Sequence, residues 1–288
     1  MGDVLAGIHA TWEFESDSVL IRFERGIRAP KLFQALRERR IPHEALESVT
    51  LSPGKRGTVV LHAVPRPGAD PLMDAAAGQL KESYDPYRLV LPAERETLAE
   101  YYADELRDAL PPDASEPADR HLVAAPEAPL NFKAYDGKAA FDGRQVTFRW
   151  FWTGASSEKW KAGDQTFPVA ALSGVEWRSP EVFDGHLRLL RREADGSAAQ
   201  ADRDPASVVF GLGYGPVHES LPFAAAVLAA VRDGGGPAVP HQPVRVAAGR
   251  RDPADIAERI RHLGDLHRAG LVTDDEFSAK KAELLAEL

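Results

Sequence analysis

The chain has 288 residues, room for about two domains. It is 44% hydrophobic and 27% charged, with a formal net charge of -9, which argues against nucleic acid as a partner and disfavours an anionic membrane, because both demand a basic footprint. There are no cysteines, which excludes disulfides, thiolate metal sites and cysteine nucleophiles and fits a cytoplasmic location.

The opening stretch MGDVLAGIHATWEF lacks the basic start and apolar run of a secretory signal. No apolar run approaches the roughly 20 residues that span a bilayer. Phe14–Ile21 (FESDSVLI) reads as a polar turn leading into an alternating strand, and its ESDS, taken as the first strand-to-strand loop, is acidic. The most basic stretch follows, with Arg22, Arg25, Arg28, Lys31, Arg37, Arg39 and Arg40, and trails into a loop–helix insert. Ile41–Pro53 and VVLHAV continue the strands, and Glu94–Leu110 reads as a helix with Leu98, Tyr102, Leu106 and Leu110 at steps of four. Pro111–Pro129 holds five prolines and no sustained period, which makes it a linker, with Leu122 and Val123 available to pack on a neighbour.

The series then repeats. Phe141–Phe148 (FDGRQVTF) matches Phe14–Ile21, and Phe167–Pro180 (FPVAALSGVEWRSP) matches Ile41–Pro53 (IPHEALESVTLSP). Gly185–Leu189 matches Gly57–Leu61, and Asp204–Phe210 (DPASVVF) matches Asp85–Leu91 (DPYRLVL). This copy too ends in an alanine-rich helix, Val217–Arg232, whose Pro222–Val231 is too short for a membrane span and reads as buried. Within it Phe148, Trp150 and Trp152 are placed on one strand face, either as core or as a partly exposed aromatic surface for a partner. Each copy is thus strand-rich and closed by one amphipathic helix, which can cover the open end of a small antiparallel barrel. That arrangement describes a pleckstrin-homology-like (PH-like) fold.

No catalytic, cofactor-binding or metal-binding residue is assigned. Gly211–Pro216 (GLGYGP) lacks the spacing of a dinucleotide loop and has no βαβ unit around it, so it is read as a connector. His262 and His267 are five apart rather than four, and neither H-E-x-x-H nor G-x-S-x-G occurs.

Asp233–Asp252 opens on three glycines and adds three prolines, a flexible linker. Beyond it, Asp252 and Pro253 suit the start of a helix carrying Ile256, Ile260, Leu263 and Leu266. Gly270 ends that helix, and Leu271 lies in the turn. Thr273 and Glu276 form a capping box for a second helix lined by Phe277, Leu284, Leu285 and Leu288. A hairpin of this size cannot bury a core of its own, so these side chains need another surface.

The paired units resemble the tandem domains of the DUF4429 family common in actinobacterial proteins, and the tail, through Ile260, Leu263, Leu266, Gly270, Thr273, Glu276, Phe277, Lys280, Lys281, Leu284 and Leu285, resembles the short C-terminal domain called SHOCT. The resemblance implies PH-like units and a tail that oligomerises or recruits partners. The expected layout is mainly β (α+β): a PH-like barrel over 1–110, a linker over 111–129, a second barrel over 130–232, a linker over 233–252 and an α-helical hairpin over 253–288. The expected function is non-enzymatic binding and assembly without cofactors. The partner is protein, chiefly further copies of the chain bound through the tail residues named above. The alternative is a membrane-surface or lipid-headgroup adaptor using the PH-like modules.

Overall fold

The computed structural model describes residues 3–26, 29–182, 184–192, 199–211 and 217–234. Its first repeat begins with β1 (Asp3–Ala6), β2 (Ala10–Phe14) and β3 (Ser18–Phe23), then a short helix α1 (Lys31–Leu36) and β4 (Glu38–Pro42). These strands form an antiparallel sheet in the order β1-β2-β3-β4. A second sheet follows in the order β5-β6-β7, from β5 (Leu46–Pro53), β6 (Thr58–Pro65) and β7 (Arg88–Pro92), with helix α2 (Pro71–Ala76) inserted before β7. Helix α3 (Glu96–Asp108) completes the repeat.

The second repeat reproduces the series. β8 (Leu130–Lys133), β9 (Gly137–Phe141), β10 (Gln145–Trp150), α4 (Ser157–Ala162) and β11 (Gln165–Pro168) give one sheet. β12 (Leu172–Arg178), β13 (His186–Arg191) and β14 (Ser207–Val209) give the other, and α5 (Ser220–Arg232) follows. The architecture is mainly β with few helices, as expected.

The likeness reaches individual hydrogen bonds. Each repeat turns from its first sheet to its second through a single 3-10 turn after a proline, His43–Ala45 after Pro42 and Val169–Ala171 after Pro168. The His43 amide donates to Asp17 O (2.9 Å) and the Val169 amide to Arg144 O (2.8 Å). Both second sheets bulge at the same place, between Leu46 and Ser48 and between Leu172 and Gly174.

The barrels expected from the sequence are not closed. At the far corner one backbone bond links the sheets of each repeat, Ile8 N to Val90 O (2.7 Å) and Tyr135 N to Val209 O (3.0 Å). At the near corner the proline and the 3-10 turn carry the chain out of the ladder, since proline has no N–H to donate. Each repeat is therefore a pair of sheets with a helix against the core, rather than a continuous hydrogen-bonded cylinder. The strand β1 also precedes the element read as first, so ESDS lies in the second hairpin.

The two repeats share one compact unit, Met1–Gly236; the remaining unit, Pro237–Leu288, lies outside the described residues. Helix α2 of the first repeat packs on α5 and β12 of the second. Beside it the Gln79 carboxamide acts as a strand segment: its Nε2 donates to Trp177 O (2.7 Å), and its Oε1 accepts from Ser179 N (3.1 Å). Arg232, at the end of α5, donates back to Gly68 O (2.8 Å) and Ala118 O (3.2 Å). The proline-rich connection is pinned to the first repeat. The Leu122 and Val123 amides both donate to Ala69 O, Arg66 Nε donates to Glu116 O, and the Val123 side chain is buried.

Candidate interaction surfaces

The predicted interface residues Ile256, Ile260, Leu263, Leu266, Leu271, Phe277, Leu284, Leu285 and Leu288 lie outside the described residues, as does most of the GLGYGP connector. The remaining features can be placed.

Three of the seven cations in the basic stretch of the first repeat, Arg22, Arg39 and Arg40, are engaged by carboxylates. Arg22 pairs with Glu13 and, at 3.8 Å, with Glu38; Arg40 pairs with Glu15 and donates to Ser18 Oγ (3.0 Å). Arg39 is buried. It donates to Asp70 Oδ1 (2.6 Å) and to the Tyr87 hydroxyl (3.1 Å), while that hydroxyl donates to Asp70 Oδ2 (2.5 Å). Burial pushes the Tyr87 phenol well above its usual range, so the hydroxyl stays protonated and keeps donating. Asp70 also caps α2 by accepting from Leu72 N, so one carboxylate ties the repeat's core to the helix that docks on its neighbour.

The aromatic stretch divides. Phe148 and Trp150 are core, but β10 ends at Trp150, so Trp152 leaves the predicted strand face and stands 48% exposed in the following turn. It meets Trp160 edge-to-face, ring centroids 5.0 Å apart. Between them in sequence sits a group that sequence reasoning missed: Lys159 is fully buried, with Nζ 2.5 Å from Asp136 Oδ2 and 5.0 Å from the Trp150 ring centroid. Asp136 Oδ1 accepts from Val209 N (2.9 Å). Burial lowers the lysine pKa and raises that of the aspartate, each offset in part by the partner's charge. A lysine in a polar, helix-forming run gives no hint of a partner 23 residues upstream.

Across the seam between the repeats lies a cleft with about 350 Å³ of space open to solvent. Leu32, Leu80, Trp177 and Leu221 line it, with Tyr84 stacked toward His218 at 6.5 Å and Lys81 paired to Glu181 at 2.5 Å. Burial holds the His218 pKa below its ordinary value, and Lys31 adds to this.

Two charged surfaces stand apart. In the second repeat the antiparallel register places Lys133 opposite Lys138 and Lys138 opposite Arg149. Residues directly opposite share a face. That face is the outer one, because the alternate residues Ala139 and Phe148 are core. The same row in the first repeat reads Ala6, Thr11, Arg22 and Glu38. There the single cation is neutralised, whereas the Lys138 and Arg149 side chains have no hydrogen-bond or ion-pair partner among the described residues. On α3, Glu96, Glu100, Asp104 and Asp108 are exposed and recur every four residues along one stripe. Among the described residues Asp104 is the one of these four with an ion-pair partner, Arg107 at 2.6 Å.

Among the described residues no three His, Asp or Glu side chains come together as a metal site, and no helix is long and apolar enough to cross a membrane. No curated protein matches the chain. A model of the family described as "Domain of unknown function (DUF4429)" matches residues 12–107 and 139–228, one segment in each structural repeat. With well over half its length matched, and in two segments that fold alike, the chain belongs to the DUF4429 family.

Proposed function

We propose that the chain is a non-enzymatic, cytoplasmic binding and assembly protein, in which two PH-like repeats form one body and a SHOCT-like tail, residues 253–288, associates with tails of other copies or recruits a partner protein. One observation carries this reading. Helix α5 is buried on nearly every face, from Leu221 through Val231, by its own sheets and by α2. Among the described residues, that helix finds its packing partners in β8, β12 and α2. The tail brings nine apolar positions on a hairpin too small to bury them by itself, which makes a surface outside that hairpin its natural complement. Tail-to-tail association would raise the avidity of whatever the repeats bind.

Light scattering after size exclusion tests this on the full chain and on a chain ending at Gly236. The expected result is a multiple of the monomer mass for the full chain and the monomer mass for the shorter one. Equal monomer masses would overturn self-association. The lipid-adaptor alternative drew on the basic stretch around Arg37, Arg39 and Arg40; of these, Arg39 and Arg40 are engaged by carboxylates.

A further inference from the structure

We infer that the cleft across the seam between the repeats binds a small planar aromatic acid, its ring held against Trp177, Tyr84 and His218 and its carboxylate turned toward Lys31. The site lies wholly within the described unit and goes beyond the assembly role proposed for the tail.

The docking of the repeats makes this cleft, since neither repeat holds it alone. Leu32, Leu80 and Tyr84 come from the first repeat, and Trp177, His218 and Leu221 from the second. Two links between the repeats bracket it: the Gln79 carboxamide on the Trp177 and Ser179 backbone, and the Lys81–Glu181 ion pair. Helix α1 closes a further side against the 3-10 turn Val217–Glu219. Small-molecule sites favour such crevices between packed units, and the space of about 350 Å³ suits a one- or two-ring ligand.

The lining selects the chemistry of the occupant. Leu32, Leu80 and Leu221 are apolar, and the Trp177 indole spends its single donor on Ser220 Oγ (2.9 Å). What Trp177 offers the cleft is therefore ring surface. The Tyr84 and His218 rings lie within 29° of parallel, with centroids 6.5 Å apart. That is the loose end of the range for ring pairs, so each keeps surface for a third ring. An aliphatic chain would gain the burial but not the ring contacts.

Charge settles the other end of the ligand. Lys81 and Glu181 neutralise each other at 2.5 Å. Burial, with Lys31 nearby, lowers the His218 pKa, so that ring stays neutral at pH 7. Lys31, beside Leu32 at the start of α1, has no hydrogen-bond or ion-pair partner among the described residues. One ammonium above an apolar floor complements one carboxylate on an apolar ring and repels a cation of the same shape. Because its walls come from both repeats, the site occurs once per chain, and its occupant bridges the seam.

Equilibrium dialysis of the full chain with 2-naphthoate tests the assignment, with 2-naphthylmethylammonium as a cation of similar shape. Naphthoate should saturate at one per chain, bind at least about tenfold more tightly than the ammonium, and raise the thermal midpoint. Leu80→Trp fills the cleft and should weaken naphthoate binding at least about tenfold. Lys31→Glu changes an exposed side chain, so it should leave the melt unaltered while reversing the preference between the two probes. The site is overturned if naphthoate does not saturate, if it binds at more than one per chain, or if the wild type holds both probes equally well. Naphthoate binding that survives both substitutions would place the probe on another surface and overturn it too. Circular dichroism on each variant confirms that lost binding is not lost fold.

Discussion

At the scale of single residues, the acid response should be set by two histidines rather than by the many exposed carboxylates. Burial lowers the pKa of both His43 and His218 from the ordinary 6.5. His43 Nε2 is buried without a partner, which a neutral ring tolerates better than a charged one. A depressed folded-state pKa means that the unfolded chain takes up the proton first. Stability is therefore intact above 6.5 and is lost as pH falls from there through the lower folded values. The thermal midpoint should fall more steeply between about pH 7.5 and pH 5.5 in the wild type than in a His43→Gln/His218→Gln variant. Equal slopes in the two melting series would count against this. Neither position was readable in advance, because histidines scattered along a chain show their environment only after the sheets turn their corner. The buried Lys159–Asp136 pair was invisible for the same reason. What could be read was chemistry fixed by neighbours in sequence, such as the Asp-Pro turns at Asp85 and Asp204, where each aspartate accepts from the amide two residues on.

At the scale of elements, the repeat was legible because each unit uses the same strand pattern and the same corner. Ile41, Pro42, Ala45, Leu46 and Val49 recur as Phe167, Pro168, Ala171, Leu172 and Val175 at one structural turn. The helices were legible only to their period. A stripe at steps of four drifts by about 40° per step on a helix of 3.6 residues per turn. Leu98 accordingly swings off the core face and is 42% exposed, while Ala99, seven residues from Leu106 and only about 20° off its line, is buried. What no single helix reveals is a second packing surface. Tyr101 on α3 and Ala225 on α5 are aligned, yet Tyr101 is 52% exposed and Ala225 is fully buried on a helix packed by both its own sheets and α2. The same substitution should therefore have opposite outcomes at the two sites. Ala225→Glu buries an unpaired charge and should cost at least about 3 kcal/mol in urea unfolding. Tyr101→Glu should stay within about 0.5 kcal/mol of wild type. Comparable losses at both would mean that the repeats do not share α5.

At the scale of the whole molecule, the repeats are alike in fold and unlike in what their outer faces contact. The first repeat supplies α2 and Gln79 to the groove beside α5 and β12, and the linker ties itself to the supplier. The corresponding groove of the first repeat, beside α3 and β5, refuses the same arrangement. Its helix is charged where α5 is apolar. The residue of β5 matching Ser179, whose amide Gln79 engages, is Pro53, which has no N–H to offer. Docking is thus one-way, and the seam cannot propagate from molecule to molecule by its own chemistry. Cooperativity should follow this asymmetry. With α5 belonging to both cores, the unit should melt in one calorimetric transition, its calorimetric and van't Hoff enthalpies agreeing. Separated at Pro129, the halves should differ. The first keeps its core and exposes the short helix α2 with the seam residues Leu32, Leu80 and Tyr84, so it should remain folded. The second bares Leu221, Ala224, Ala225 and Leu228 to water and should be unfolded or aggregated until the first half is added back. Two resolved transitions in the intact unit, or a second half that folds by itself with native-like hydrogen-exchange protection in α5, would show instead that the seam joins two finished domains.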